Sequence, residues 1–240
     1  MLTHEENKLE ILHHLTITQH LLFLLESIPK KNQSLLFEEI KKYAIIGATI
    51  TDLMLLKKVA LVDNRLEIIN SEKTDFSYMN TLLAELQSEE EKKLLMEVIY
   101  NYRHEAEVIE EEILKELLEK ELLIEKKGLI PFLFPTELRV KDPELAIISR
   151  ESIQKALTKE SKPEKEVLYV IAIMDAIYAL QKFMDTKEEY EEKKKRLDEL
   201  LEEEELAKKV YETITSQPEP EFPAYYIPPM YFMDGLTGLY

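Results

Sequence analysis

At 240 residues the chain is long enough for one large domain or two small ones, each able to bury a core. Hydrophobic residues at 45%, charged residues at 33% and only 4 glycines favour a mainly α fold over a turn-rich all-β one. The absence of cysteine excludes disulfides, zinc–thiolate sites and thiol nucleophiles, and the net charge of −17 opposes general nucleic-acid binding.

Residues 1–14 read as a short amphipathic extension with Leu9, Ile11, Leu12 and Leu15 as its stripe. Glu10 and His13 have the i, i+3 spacing used by di-iron carboxylate bundles. Such sites need the motif twice, and no second Glu-x-x-His occurs, so these residues and the neighbouring His4 and His14 read as a solvated helix face. No metal or other cofactor is expected.

Residues 19–26 are apolar nearly all round, which predicts a buried helix capped by Thr16 or Thr18 and ended by Pro29. A second helix is expected from about 35 to 57, with Gly47 and Ala48 as a narrow spot where another helix can approach. It feeds a hairpin: 59–62, the turn Asp63-Asn64-Arg65, then 66–69. Between 27 and 62, six lysines face Glu38, Glu39 and Asp52, a local balance of +3 and the most basic stretch of the chain.

Leu82, Leu83 and Leu86 mark a short helix. Ser88, ahead of three glutamates, then reads as the cap of a long acidic helix with Ile113, Leu114, Leu117 and Leu118 as its apolar stripe. That helix runs into a second hairpin pattern. An apolar run at 122–124 is followed by a turn at Lys126, Lys127 and Gly128 and a second apolar run at 129–134. Further helices are predicted at 143–157, 164–184 and 186–213. Asp175, inside the most apolar of them, reads as a hydrogen-bonded core residue rather than a catalyst. The longest apolar run, 167–180, is interrupted by this aspartate and is shorter than the ~20 residues of a membrane span. Residues 216–240 hold five of the ten prolines and six aromatic residues, the composition of an extended segment packed on its own domain or on a partner. Two helix-then-hairpin units invite comparison with a winged helix, but the second is acidic where a DNA reader is basic.

Four segments, in order, resemble the Golgi phosphoprotein 3 family. Leu15-Thr16-Ile17 followed by 20–25 is similar to the family's first helix. Residues 47–61, GATITDLMLLKKVAL, resemble its small-residue helix with a basic end and short strand. Residues 117–128, LLEKELLIEKKG, with the following Phe-Leu-Phe run, look like its helix-to-hairpin element, and 167–180 like its apolar C-terminal helix. The resemblance implies a mainly α domain with short β-hairpins following helices, and a peripheral, non-enzymatic membrane protein. In that family a surface pocket of one aromatic residue and several arginines holds the phosphatidylinositol 4-phosphate head group. Arginine forks suit a phosphomonoester because they bond it bidentately.

Carried onto this chain, the aromatic position falls on Phe37, the first arginine on Ile46 and the later two on Glu107 and Glu110, a degenerate set with the wrong charge. Lys41, Lys42 and Arg103 are the candidate basic substitutes. The apolar residues Leu129, Ile130, Phe132, Leu133 and Phe134 make the family's membrane or oligomer contact, or else fold onto the core. The expected organisation is an extension at 1–14, a domain at 15–215 and a tail at 216–240. The expected protein is cytoplasmic and peripheral to a membrane, with an anionic lipid surface as partner and no nucleic acid. The alternative is an interaction or self-assembly module acting through the hairpin and the aromatic tail. An enzyme using Asp52 and Asp175 is the weakest reading, because neither a nucleophile nor a phosphate loop accompanies them.

Overall fold

A computed structural model describes residues 10–28, 35–89, 91–126 and 137–218. After a helical turn at 10–13, the described chain forms α1 (Ile17–Ser27), α2 (Leu35–Leu55), β1 (Val59–Val62), β2 (Arg65–Ile68), α3 (Ser77–Ser88), α4 (Leu95–Asn101) and α5 (Ala106–Glu119). It continues with β3 (Leu123–Lys126), β4 (Glu137–Val140), α6 (Pro143–Ala156), α7 (Lys165–Ala176), α8 (Lys187–Glu203) and α9 (Glu205–Thr215). The fold is mainly α, with two separate two-stranded antiparallel hairpins, β1–β2 and β3–β4. None of the described helices is long and apolar enough to cross a membrane.

The centre is built from the helices that lack a polar face. Helix α1 is buried continuously from Ile17 to Gln19 and from Leu21 to Leu25, and α7 from Leu168 to Ala176. These two pack against each other and against α2, while α5 and α9 close the sides. Each Leu, Ile or Phe fully buried in this way contributes roughly 1.5–3 kcal/mol. Thr16 caps α1, its hydroxyl accepting from the Gln19 N–H while the Gln19 side chain accepts from the Thr16 N–H. Gly47 supplies the anticipated narrow spot: a Cβ there would lie 2.8 Å from Ile214 Cδ1 of α9.

Several predicted boundaries need correction. Asp63 and Asn64 form a two-residue turn with φ of 49° and 65°, and Arg65 belongs to β2, paired with Val62. Ser88 is the last residue of α3, not the cap of a long helix. The chain that follows is drawn onto the first hairpin, where Leu66 donates to Lys93 O, Leu95 donates to Asn64 O and Arg65 bridges to Leu94. That pairing delays the next helix until Leu95, and a 3₁₀ turn at Arg103–Glu105 divides it from α5. The partner of β3 is Glu137–Val140, not the apolar run 129–134, which lies outside the described residues with the rest of 127–136. The apolar helix stops at Ala176, where Tyr178 takes φ 61°, and the charge-dense segment divides at Glu204 into α8 and α9.

Candidate functional site

The residues that the family comparison places at the head-group position lie on two adjoining helices, α2 and α5. Both present charged residues at helical spacing. On α2, Lys41 and Lys42 follow Glu38 and Glu39 by three residues, so each lysine reaches back one turn: Lys41 Nζ is 2.6 Å from Glu38 Oε2 and Lys42 Nζ is 3.0 Å from Glu39 Oε1. Each also reaches across to α5. Lys41 Nζ stands 2.9 Å from Glu110 Oε1, and Lys42 Nζ stands 2.9 Å from Glu107 Oε1. Each ammonium is thus held between two carboxylates.

The protonation equilibria follow from this pairing. Burial pulls Lys41 down, but Glu110 and Glu38 together outweigh it and leave the ammonium above its ordinary value. The hydrogen bond to Glu107 holds Lys42 up as well, and the same bond holds Glu107 below the usual carboxylate range.

The other candidates have different surroundings. Ile46 is fully buried in the core, so it cannot line a surface pocket. Phe37 is half-buried and packs against the core one turn before Lys41. Arg103, in the 3₁₀ turn, donates to the Tyr100 carbonyl at 2.6 Å and lays its guanidinium 4.1 Å from the centre of the Tyr100 ring. Tyr100 in turn stacks on Tyr43 of α2, with centroids 6.5 Å apart and planes at 18°. Leu129, Ile130, Phe132, Leu133 and Phe134 lie outside the described residues.

The structure therefore brings Lys41, Lys42, Glu107 and Glu110 together and sets Arg103 on a neighbouring aromatic stack, but removes Ile46. Lys41 and Lys42, the candidate substitute cations, each pair with a carboxylate on α5 and with one on their own helix. The tyrosine stack is absent from the sequence reading, although the Tyr100–Arg103 spacing of one helical turn is a local signal for it.

The two buried aspartates are both hydrogen-bonded within the fold. Asp52 Oδ1 accepts from the Ile17 N–H at 2.8 Å, while its Oδ2 accepts from the Thr18 N–H at 3.0 Å and from the Thr18 hydroxyl at 2.5 Å. It so satisfies the first N–H groups of α1 from another helix. Burial pushes Asp52 up to about 6 against the pull of these donors. Asp175 accepts from the Tyr190 hydroxyl at 2.8 Å and pairs with Lys194 at 3.1 Å. Among the described residues no group of three or more His, Asp and Glu is arranged to hold a metal ion.

A mainly helical domain with two independent hairpins, carrying a face of lysines paired across α2 and α5, is the class of protein that these features define. The family model described as Golgi phosphoprotein 3 (GPP34) matches residues 19–217, and the chain belongs to that family. Comparison with curated proteins finds no match.

Proposed function

We propose that this chain is a non-enzymatic, peripheral membrane-binding domain, residues 15–215, in which the phosphoinositide position is degenerate and filled by carboxylates of the chain itself. Family membership supports the membrane part of this reading. The observation that carries the rest is the pairing of Lys41 with Glu110 and of Lys42 with Glu107. A phosphate brought to this face meets four carboxylates as well as the two lysines. The four carboxylates outnumber the two ammonium groups, so the cluster carries a net charge of −2 and repels a phosphate. Membrane contact then falls to the apolar residues between β3 and β4, Leu129, Ile130, Phe132, Leu133 and Phe134.

Vesicle flotation tests the proposal. The expected result is equal flotation with phosphatidylcholine vesicles whether or not they contain phosphatidylinositol 4-phosphate, and its loss in the double variant Phe132→Ser, Phe134→Ser. Flotation that rises with phosphatidylinositol 4-phosphate and falls in Lys41→Ala or Lys42→Ala would show a working head-group site. Failure to bind any vesicle would remove the membrane reading.

A further inference from the structure

The base of the first hairpin leaves an apolar surface uncovered. Of the twelve large hydrophobic side chains exposed among the described residues, five fall between positions 55 and 69: Leu55, Leu56, Val62, Ile68 and Ile69. The fold draws four of them together. Helix α2 ends at Leu55, Lys57 turns the chain with φ 54°, and the Ile69 N–H donates to the Lys58 carbonyl at 2.8 Å. The end of β2 thereby returns beside the end of α2, and Leu55, Leu56, Ile68 and Ile69 share that corner. Exposed hydrophobic residues scattered singly are ordinary, whereas a cluster of them marks a contact surface.

A groove of about 930 Å³ adjoins this corner, between the hairpin and the start of α9, with Leu61 and Leu206 in its walls. Five charged side chains also line it. Glu204 is engaged by Lys165 at 2.7 Å. Lys57, Asp63, Glu205 and Lys209 have no ion-pair partner among the described residues. The rim thus holds two unpaired cations and two unpaired anions. The hairpin region is balanced as a whole, because residues 53–72 carry Lys57, Lys58 and Arg65 against Asp63, Glu67 and Glu72.

These charges select the occupant. The chain carries −17, so two copies repel each other over most of their surfaces. At this corner the local charge is zero and that repulsion is reduced. A balanced rim offers no net attraction to an anionic lipid surface or to a nucleic acid. A second copy brings the same two lysines and two carboxylates. Under a two-fold axis the cations of each rim meet the anions of the other, around an apolar centre. Leu55 follows Lys42 by 13 residues of α2, about 20 Å at ~1.5 Å per residue, so the paired lysines stay outside this surface.

We infer that two copies of this chain associate through the corner formed by the end of α2 and the first hairpin. Leu55, Leu56, Ile68 and Ile69 form the centre of the contact, and the rim lysines of each copy face the carboxylates of the other. The inference does not rest on lipid binding.

Analytical ultracentrifugation of the full chain tests it. The expected result is a monomer–dimer equilibrium that moves to dimer as concentration rises. The double variant Leu56→Glu, Ile69→Glu, changed only at exposed positions, should keep its circular dichroism and become monomeric. Lys57→Glu and Glu205→Lys should each weaken the dimer several-fold. An equimolar mixture of those two single variants should regain it, because an excess of one sign on one rim then faces the opposite excess on the other. A chain that stays monomeric at every concentration would overturn the inference, as would a mixture no tighter than its components. So would a dimer that survives Leu56→Glu, Ile69→Glu, or one that is lost in Phe132→Ser, Phe134→Ser, since the contact would then lie elsewhere.

Discussion

Lys42 Nζ of α2 lies 2.9 Å from Glu107 Oε1 of α5, an ion pair that joins the two helices. The Lys42 side chain is 22% exposed and that of Glu107 71%, so this pair sits at the rim. The parallel contact between Lys41 and Glu110, at 11% and 19%, lies deeper in the same interface. The two bridges look alike in length but not in consequence. Rim pairs are worth roughly 0.2–1 kcal/mol because water and salt screen them. Stripping a partner from a desolvated charge costs about 1–3 kcal/mol. Glu107→Ala should therefore shift the urea midpoint little, whereas Glu110→Ala should lower it clearly. Equal shifts would mean that burial does not separate the two pairs.

The pH dependence of stability should expose two opposing groups. Asp52 is carried by burial from 3.8 to about 6. The folded state thus holds a proton that the unfolded chain has released, and stability from this group falls as pH rises from about 4 to 6. His20 behaves oppositely. Its Nε2 is buried with no hydrogen-bond partner among the described residues, and burial together with repulsion from His13 lowers it from 6.5 to about 4. The unfolded chain takes up that proton first, so stability from His20 falls as pH drops from 6.5 towards 4. At ~1.4 kcal/mol per pH unit, each amounts to on the order of 3 kcal/mol, and they nearly cancel. Relative to the unsubstituted protein, Asp52→Asn should lose stability as pH falls from 6.5 to 4, and His20→Leu should gain it. Chemical denaturation across that range measures both. Curves parallel to the unsubstituted protein's would refute the assignment.

What could be read from the sequence was local, and what could not was long-range. The apolar circumference of α1, the cap at Thr16 and the narrow spot at Gly47 are all encoded within a few residues. The false start at Ser88 has a different origin. Its cap chemistry is sound, but Lys93 and Leu94 are captured by Asn64, Arg65 and Leu66 of the first hairpin, a pairing that no local pattern announces. The charge of the candidate site was equally visible, in Glu107 and Glu110. Its neutralisation was not, since Lys41 and Glu110 are 69 positions apart. Read alone, the lysines look like available cations, and only their cross-helix partners show that they are engaged.

Gly47 offers a test of packing. Alanine favours a helix by roughly 1 kcal/mol over glycine, yet a Cβ here would stand 2.8 Å from Ile214 Cδ1 and 3.6 Å from Ile99 Cδ1. Ile214 is buried, so its terminal methyl has little room to withdraw. Gly47→Ala should therefore be neutral or destabilising rather than gain the helix preference. Removing the obstructing methyl with Ile214→Val leaves Cγ1 at 3.3 Å and should restore part of the gain, so the double variant is more stable than the two single effects sum to. Additive free energies from denaturation would show that the methyl does not limit this contact.

Reversing the two acidic positions tests whether charge alone keeps a phosphate from this face. In the double variant Glu107→Arg, Glu110→Arg, two arginine forks would join Lys41 and Lys42 on one face, and the lysines would lose their cross-helix carboxylates. The like charges should lower the unfolding temperature, though Glu38 and Glu39 remain one turn away to moderate the repulsion. If the chain still folds, as circular dichroism would show, flotation should now increase with phosphatidylinositol 4-phosphate in the vesicle and fall steeply with added salt. A comparison with phosphatidylserine at equal surface charge separates head-group recognition from general attraction. A folded variant that ignores both lipids would mean that shape closes the site too. The residue to change next would then be Ile46, whose side chain is fully buried between the helices and gives this face no charge.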